Sequence, residues 1–295
     1  MSNAFHDDTQ SPPRDGGHRQ PDSGSLELGA LESGALELVE RVTGATPTRA
    51  RFLSPRDGKK NLVLSYRVAD ERLVLKIYRQ DLRYTVQALK NAIPRYLTHA
   101  FTLRSLPRAR VRAELAGVEG FREAGFATFE VVAQPRHDAL VFRYTEGRHL
   151  KEILRARRDP RVARAYVERV AHDLAQRQRL ALERRDLRMV HPSPRVQHVW
   201  VRPDDSFVYY DFEDRVNPSL RIEQALANEV ECFFFYLLRL RETADPATID
   251  AAREALGAEP IERWGRERER RHLWRFSGSA RRRRDVYPRV VERAR

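Results

Sequence analysis

The chain has 295 residues, 41% of them hydrophobic, one cysteine and a formal net charge of +13 at pH 7, enough for one large domain or two small ones with a real core. Its longest strongly apolar run, Cys232–Leu238, falls far short of the roughly 20 residues of a membrane-spanning helix. The lone cysteine excludes an internal disulfide or a cysteine-cluster metal site, and Cys232 reads as a buried, inert thiol.

Residues 1–24 are rich in Ser, Pro, Gly, Asp and Gln. They cannot bury enough surface to order themselves and lack the apolar stretch of a signal peptide, so a disordered segment on a cytoplasmic protein is expected. Ser25–Val42 reads as a weak amphipathic helix or lead-in. Asn61–Val68 (NLVLSYRV) and Arg72–Tyr78 (RLVLKIY) alternate and are rich in β-formers, with Ala69–Glu71 joining them as a hairpin. Residues 81–105 read as a helical insertion, and Arg108–Ala124 as a helix stopped by Gly125. Thr128–Ala133 and Ala139–Tyr144 follow as strands. Beyond Gly147 the pattern turns helical, with Pro160–Glu183 as a long amphipathic helix. Short strands Val199–Val201 and Phe207–Tyr210 flank a turn at Pro203–Asp205, and Ser219–Glu242 is a second long helix with an apolar centre. A β-rich front and a helical back predict an α+β protein of two lobes, residues 25–146 and 147–260, joined near 145–148. Residues 261–295 carry 13 Arg against 5 acidic residues, a basic tail that attracts phosphate-bearing partners.

Four features carry chemistry. Lys76 lies inside an apolar strand, so if Leu75 and Ile77 face a core, Lys76 faces a cleft. Glu114 lies on the following helix, where it can pair with Lys76. A loop, His191–Val201 (HPSPRVQHVWV), precedes Ser206–Asp214 (SFVYYDFED), which sets Asp211 between an apolar strand and a turn. A carboxylate there can hold a cation against phosphate oxygens, and Mg2+ takes one or two carboxylates plus phosphates. Each feature alone has an ordinary alternative: an exposed strand lysine, a surface glutamate, a turn-forming aspartate. Their order gives them weight.

In that order the residues resemble the protein-kinase-like superfamily, built on a strand lysine, a pairing helix glutamate, a catalytic loop and a metal-binding aspartate. The resemblance covers residues 50–240. It implies a two-lobed protein-kinase-like fold, β-rich in the first lobe and helical in the second, with ATP and Mg2+ as cofactors. Lys76 and Glu114 then serve the phosphates, and Gly58 belongs to the phosphate-covering loop. Tyr144 sits in a hinge (Val141–Gly147) that binds adenine, His191 and Ser193 form the catalytic loop, and Asp211 and His198 hold the metal. Position 193 precedes Asp211 by eighteen residues, close to the family's usual separation. Within the superfamily the chain is similar to bacterial lipopolysaccharide core kinases of the Kdo/heptose group. Their loop commonly reads His-x-Asp, with histidine in the slot of the metal-binding asparagine, as His191, Ser193 and His198 stand here. The arginine- and leucine-rich stretch 79–113 and the phrase EAGFATFEVV fit the same group.

Three departures bear on activity. Ser193 replaces the aspartate that orients and deprotonates the acceptor, a group worth about 10²–10⁴-fold in rate. The phosphate-covering loop has the single glycine Gly58, with Lys59 and Lys60 as compensating phosphate ligands. His198 is a softer ligand for Mg2+ than an oxygen. Three readings follow. The first is a slow phosphotransferase to a sugar hydroxyl of lipopolysaccharide core, whose tail meets a phosphorylated glycolipid at the anionic inner face of the inner membrane. The second is a pseudokinase with a nucleotide-binding or scaffolding role. The third is a nucleic-acid module in which Trp274, Phe276 and Tyr287 among the arginines stack bases; against it stands a solvated helix laced with Glu–Arg pairs over RWGRERERR.

Overall fold

The computed structural model describes residues 34, 37–41, 44, 48–53, 61–79, 101–103, 106–157, 159–269 and 285–291. The segment 1–24, Gly58, Lys59, Lys60, Trp274, Phe276 and residues 81–100 of the insertion lie outside them.

The first lobe is an antiparallel sheet of β1 (Thr48–Phe52), β2 (Asn61–Val68), β3 (Glu71–Tyr78), β5 (Val131–Arg136) and β6 (Ala139–Arg143), in the order β1-β2-β3-β6-β5. Side-chain alternation divides its two faces. Leu73 and Leu75 of β3 and Ala139 and Val141 of β6 bury one face, together with Leu38 and Val39 from the helical residues 37–41. Val74 and Tyr78, with Leu140 and Phe142, form the other face, against Val111 of helix α1 (Pro107–Glu123). Lys76 shares that second face, opposite Val63 and Leu140. The sheet therefore turns Lys76 toward α1, as the alternation in LVLKIY requires.

Pro107 starts α1, and Gly125, at φ +86°, ends it, where a residue without a Cβ enters the left-handed region freely. The expected strand Thr128–Ala133 begins only at Val131, because the chain leaving Gly125 first crosses to the second lobe. Thr128 bridges Tyr209 in parallel, and the Tyr209 amide donates to the Ala127 carbonyl at 2.8 Å. The end of the expected helical insertion is also extended. Thr102–Leu103 forms β4, paired with β10 (Arg215–Val216), which satisfies the backbone just after the Asp211 turn.

Residues 144–147 link the lobes without regular structure. A Cβ on Gly147 would lie 2.3 Å from the Val201 carbonyl, so the link passes directly over the second lobe. There β7 (Arg148–His149), β8 (Val199–Val201) and β9 (Phe207–Tyr209) form a small sheet over helices α2 (Leu150–Arg157), α3 (Pro160–Arg184), α4 (Ile222–Leu237), α5 (Pro246–Leu256) and α6 (Ala258–Glu269). Asp159 caps α3 and Asp245 caps α5, each accepting from a backbone amide of the first turn. The apolar helix expected at 219–242 is α4, shortened at both ends, and it runs through the core. Cys232 is buried there as expected. Among the described residues no helix is long and apolar enough to cross a membrane.

Helix α6 crosses the boundary expected at residue 260. Trp264 is fully buried, stacked on Phe234 with ring centroids 5.9 Å apart and meeting Tyr287 of helix α7 (Val286–Val291) edge-on at 4.9 Å. Tyr287 thus packs against the lobe instead of offering its ring to a base.

Two glycines set how closely α1 approaches the second lobe. A Cβ on Gly117 would lie 2.5 Å from Phe212 Cβ, and one on Gly120 would lie 2.7 Å from the Arg188 carbonyl carbon. Gly117→Ala therefore overpacks the Phe212 seat, and urea denaturation should show a loss of about 1–3 kcal/mol.

Candidate active site

The site begins with Lys76. Its Nζ lies 3.0 Å from Glu114 Oε2, 3.2 Å from Asp211 Oδ1 and 3.3 Å from Glu213 Oε2. Burial works against the Lys76 charge, but Glu114, Tyr78, Glu213 and Asp211 raise its pKa well above the ordinary lysine value. Burial raises the Glu114 pKa, and Lys76 opposes the rise. Burial favours neutral Asp211, but the Lys76 ammonium, both by its charge and by its hydrogen bond, leads the groups that hold that carboxyl well below the usual range. The expected lysine–glutamate–aspartate convergence is present. Asp211 adopts φ +72°, a left-handed conformation that Asp tolerates better than most residues, and it starts the turn that buries Phe212.

The catalytic loop is held by backbone groups. The Ser193 amide donates to His191 Nδ1 at 3.0 Å, so the other ring nitrogen carries the proton and donates to the Tyr210 carbonyl at 3.1 Å. The His191 ring is buried against Phe212 and Phe121, 4.8 and 5.8 Å between centroids. Both nitrogens are spent and the ring is enclosed, so His191, expected to be catalytic, is a positioning residue. The Ser193 carbonyl accepts from the Arg195 amide at 2.8 Å and from His198 Nδ1 at 2.9 Å. Its hydroxyl has no hydrogen-bond partner among the described residues.

His198 therefore carries its proton on Nδ1, and its bare Nε2 faces Asp211 Oδ2 at 3.3 Å. Burial lowers the His198 pKa, opposed by Asp211, so the neutral ring turns a lone pair toward a carboxylate oxygen. One imidazole nitrogen and one carboxylate oxygen aimed at common space are a donor pair that fits a divalent cation. The carboxylates of Glu114, Asp211 and Glu213 also cluster within 4.8 Å of one another, but the Lys76 ammonium already lies among them.

Lys76, Glu114, His198 and Asp211 line one part of a cleft of about 950 Å³ between the lobes, and Tyr144 and Thr145 line another. Val63 and Val74 come from the sheet, while Phe129, His149, Trp200 and Tyr210 form an aromatic cluster with neighbouring centroids 4.8–5.9 Å apart. Tyr144 is placed differently from the hinge expectation. Its amide donates to the Arg72 carbonyl at 3.0 Å, extending the β3–β6 ladder by one residue, and the Arg72 guanidinium lies over its ring at 3.6 Å. Its amide is therefore not a donor for adenine. Asp186, seven residues before position 193, caps a short turn by accepting from the Arg188 amide at 2.8 Å.

Sequence reasoning missed four groups. Glu229, fully buried on α4, accepts from the His191 amide at 2.7 Å and pairs with Arg177 at 2.6 Å. Arg110, also fully buried, pairs with Glu213 at 2.8 Å. A charge inside the most apolar helix, an arginine one turn before Glu114 and an acid two residues after Asp211 were the available signals.

No protein-family model and no curated protein matches the chain. Similar solved structures include WaaP in complex with acyl carrier protein, 16% identical over 88% of this chain and 96% of that one, with a TM-score of 0.45. They also include the Rio2 kinase–ADP/Mg2+–phosphoaspartate complex from Chaetomium thermophilum, 17% identical over 92% and 77%, TM-score 0.44. A third is macrolide 2'-phosphotransferase MphH from Brachybacterium faecium, 12% identical over 88% and 98%, TM-score 0.45. The chain's own strand order, the seating of α1 against the sheet and the Lys76–Glu114 pair identify a two-lobed protein-kinase-like fold.

Two outcomes follow. His191 titrates well below the usual imidazole range, because of burial first and then His198 and Arg177. The unfolded chain thus takes up this proton first as pH falls, so stability is full above about pH 6.5 and is lost below it, by up to about 1.4 kcal/mol per pH unit. Glu114 and Glu229, raised by burial, have the opposite sign. The measurement is therefore the difference between wild type and His191→Gln in urea midpoints from pH 5 to 7.5, and the variant should show the flatter acid limb. His198→Asn should shift cation preference from Mn2+ toward Mg2+ by several-fold, read from metal-dependent thermal shifts with nucleotide present.

Proposed function

We propose that the chain binds ATP with a divalent cation in the interlobe cleft and transfers the terminal phosphoryl group to a sugar hydroxyl of lipopolysaccharide core. The observation that carries this reading is the convergence of Lys76, Glu114, Asp211 and His198 in a cleft also lined by the interlobe link and an aromatic cluster. Lys76 holds phosphate oxygens, and Glu114 keeps the ammonium in place. Asp211 and His198 are the residues that would hold the cation, which when bound supplies positive charge to the phosphates during transfer. Val63, Val74 and the aromatic cluster provide apolar walls for a purine, and the link residues Tyr144 and Thr145 border it. Ser193 cannot take the acceptor's proton near neutral pH, so turnover is slow, while positioning and charge stabilisation remain. The His191–Ser193–His198 loop and the stretch 79–113 support the sugar acceptor through their resemblance to core kinases. The arginines of 261–295 support a phosphorylated glycolipid at the cytoplasmic face of the inner membrane.

A pseudokinase is the second reading, favoured by Ser193 and by Glu213, whose carboxylate stands beside Lys76. The nucleic-acid reading loses Tyr287 to its contact with Trp264.

ATP titration by thermal shift with Mg2+ or Mn2+ should raise the melting temperature of the wild type and leave Lys76→Met and Asp211→Asn unmoved. Label transfer from ATP to a core oligosaccharide should be slow in the wild type and about 10²–10⁴-fold faster in Ser193→Asp. Binding without transfer in either protein would favour the pseudokinase.

A further inference from the structure

An ammonium group has three donors and no more, and Lys76 has three carboxylates within 3.3 Å. The three are not equivalent. Glu114 is sealed under α1, its side chain 3% exposed. Asp211 is 29% exposed and has His198 as its second neighbour. Glu213 is 9% exposed and held from several sides. Its Oε1 meets Arg110 at 2.8 Å, and the Asn61 side-chain amide donates to Oε2, the oxygen that faces Lys76. Arg110 is itself anchored by the Asn61 side-chain oxygen at 2.7 Å and the Arg79 carbonyl at 3.3 Å. Asn61 begins β2, the strand that follows the phosphate-covering segment expected around Gly58. One carboxylate thus joins β2, β3, α1 and the Asp211 turn, where a cationic lysine and a buried guanidinium already cradle an anion.

A phosphate reaching Lys76 meets an ammonium whose donors all face carboxylates, and a local excess of negative charge. Two cations, Lys76 and Arg110, stand against Glu114, Asp211 and Glu213. Phosphate must displace a carboxylate or accept like-charge repulsion. Glu114 is enclosed and Asp211 has the donor-pair role with His198. Glu213 is the member whose charge the nucleotide must compete with.

We infer that Glu213 is an internal stand-in for nucleotide phosphate at Lys76 and sets how tightly the cleft holds a nucleotide. This rests on the nucleotide reading above. The contact lowers affinity for free nucleotide and keeps α1 and the Asp211 turn assembled in the empty site.

The test is isothermal titration of ATP into wild type and Glu213→Gln, with EDTA and separately with Mg2+. The glutamine keeps the shape and can still hydrogen-bond Arg110, but removes the charge. Metal-free ATP should bind at least about tenfold tighter to the variant, the order of one partly screened charge pair. A second variant, Arg110→Met with Glu213→Leu, replaces the buried pair with apolar side chains, a change cores often tolerate, and it should share the gain. Equal affinity in wild type and both variants would overturn the inference and leave Glu213 as structural glue. Weaker binding confined to the Mg2+ titration would overturn it in favour of a metal-ligand role. Absence of ATP binding in all three proteins would overturn the nucleotide reading of the cleft, and the inference with it.

Discussion

Burying the Lys76 ammonium is the constraint on which the site depends. An unpaired buried charge costs several kcal/mol, and the alternation of β3 leaves this lysine on the inner face of the sheet. Its three partners come from two separate places: Glu114 from α1, and Asp211 and Glu213 from the turn after β9. The sheet, the helix and the second lobe must therefore meet at one point. Adding Arg110 leaves two cations against three carboxylates, a net negative charge. Asp211, the most exposed of the three acids, is the member beside the bare nitrogen of His198. The electrostatic imbalance and the cation donor pair occur at the same residue.

Behind that cluster lies a second frame made of buried polar groups. Glu229 takes the His191 amide, the Arg177 guanidinium and the Gln178 side chain, and Arg263 of α6 donates to Gln178 at 3.1 Å. The loop that carries residues 191–198 is thus tied to α3, α4 and, through Arg263, to the basic C-terminal stretch. Such a network rigidifies only when each member is satisfied, and these bonds close it around the loop. Gly117 and Gly120 complete the frame by letting α1 approach Phe212 and Arg188.

This frame explains how position 193 can lose its aspartate without losing the fold. The geometry passes through the Ser193 amide and carbonyl, which any residue but proline supplies, while the side chain makes no framework bond. Position 193 therefore separates architecture from chemistry, and a kinase-like site can remain assembled whether transfer is fast, slow or absent.

Much of this was legible in the sequence because it depends on local period. The two-residue alternation of RLVLKIY fixed the direction of Lys76, Gly125 ended α1 within a residue of expectation, and Val199–Val201 was read with its observed bounds. The apolar run around Cys232 marked the core helix, though its ends lie inside the expected ones. Helices α2 and α5 were not read, and α6 was read only as a solvated Glu–Arg helix over residues 263–271, since nothing local shows that Trp264 finds Phe234. The Tyr144 amide, the Arg110–Glu213 pair, the Glu229 anchor and the Thr128–Tyr209 bridge were likewise invisible. Each joins residues far apart in the chain, and no local pattern encodes which distant charge or backbone group will be the partner. The sequence by itself determined the order of the elements and the outward or inward sense of their side chains. Only the tertiary structure decided which charges share a burial site, because the cost of burying an ion is settled by whatever the whole fold places beside it.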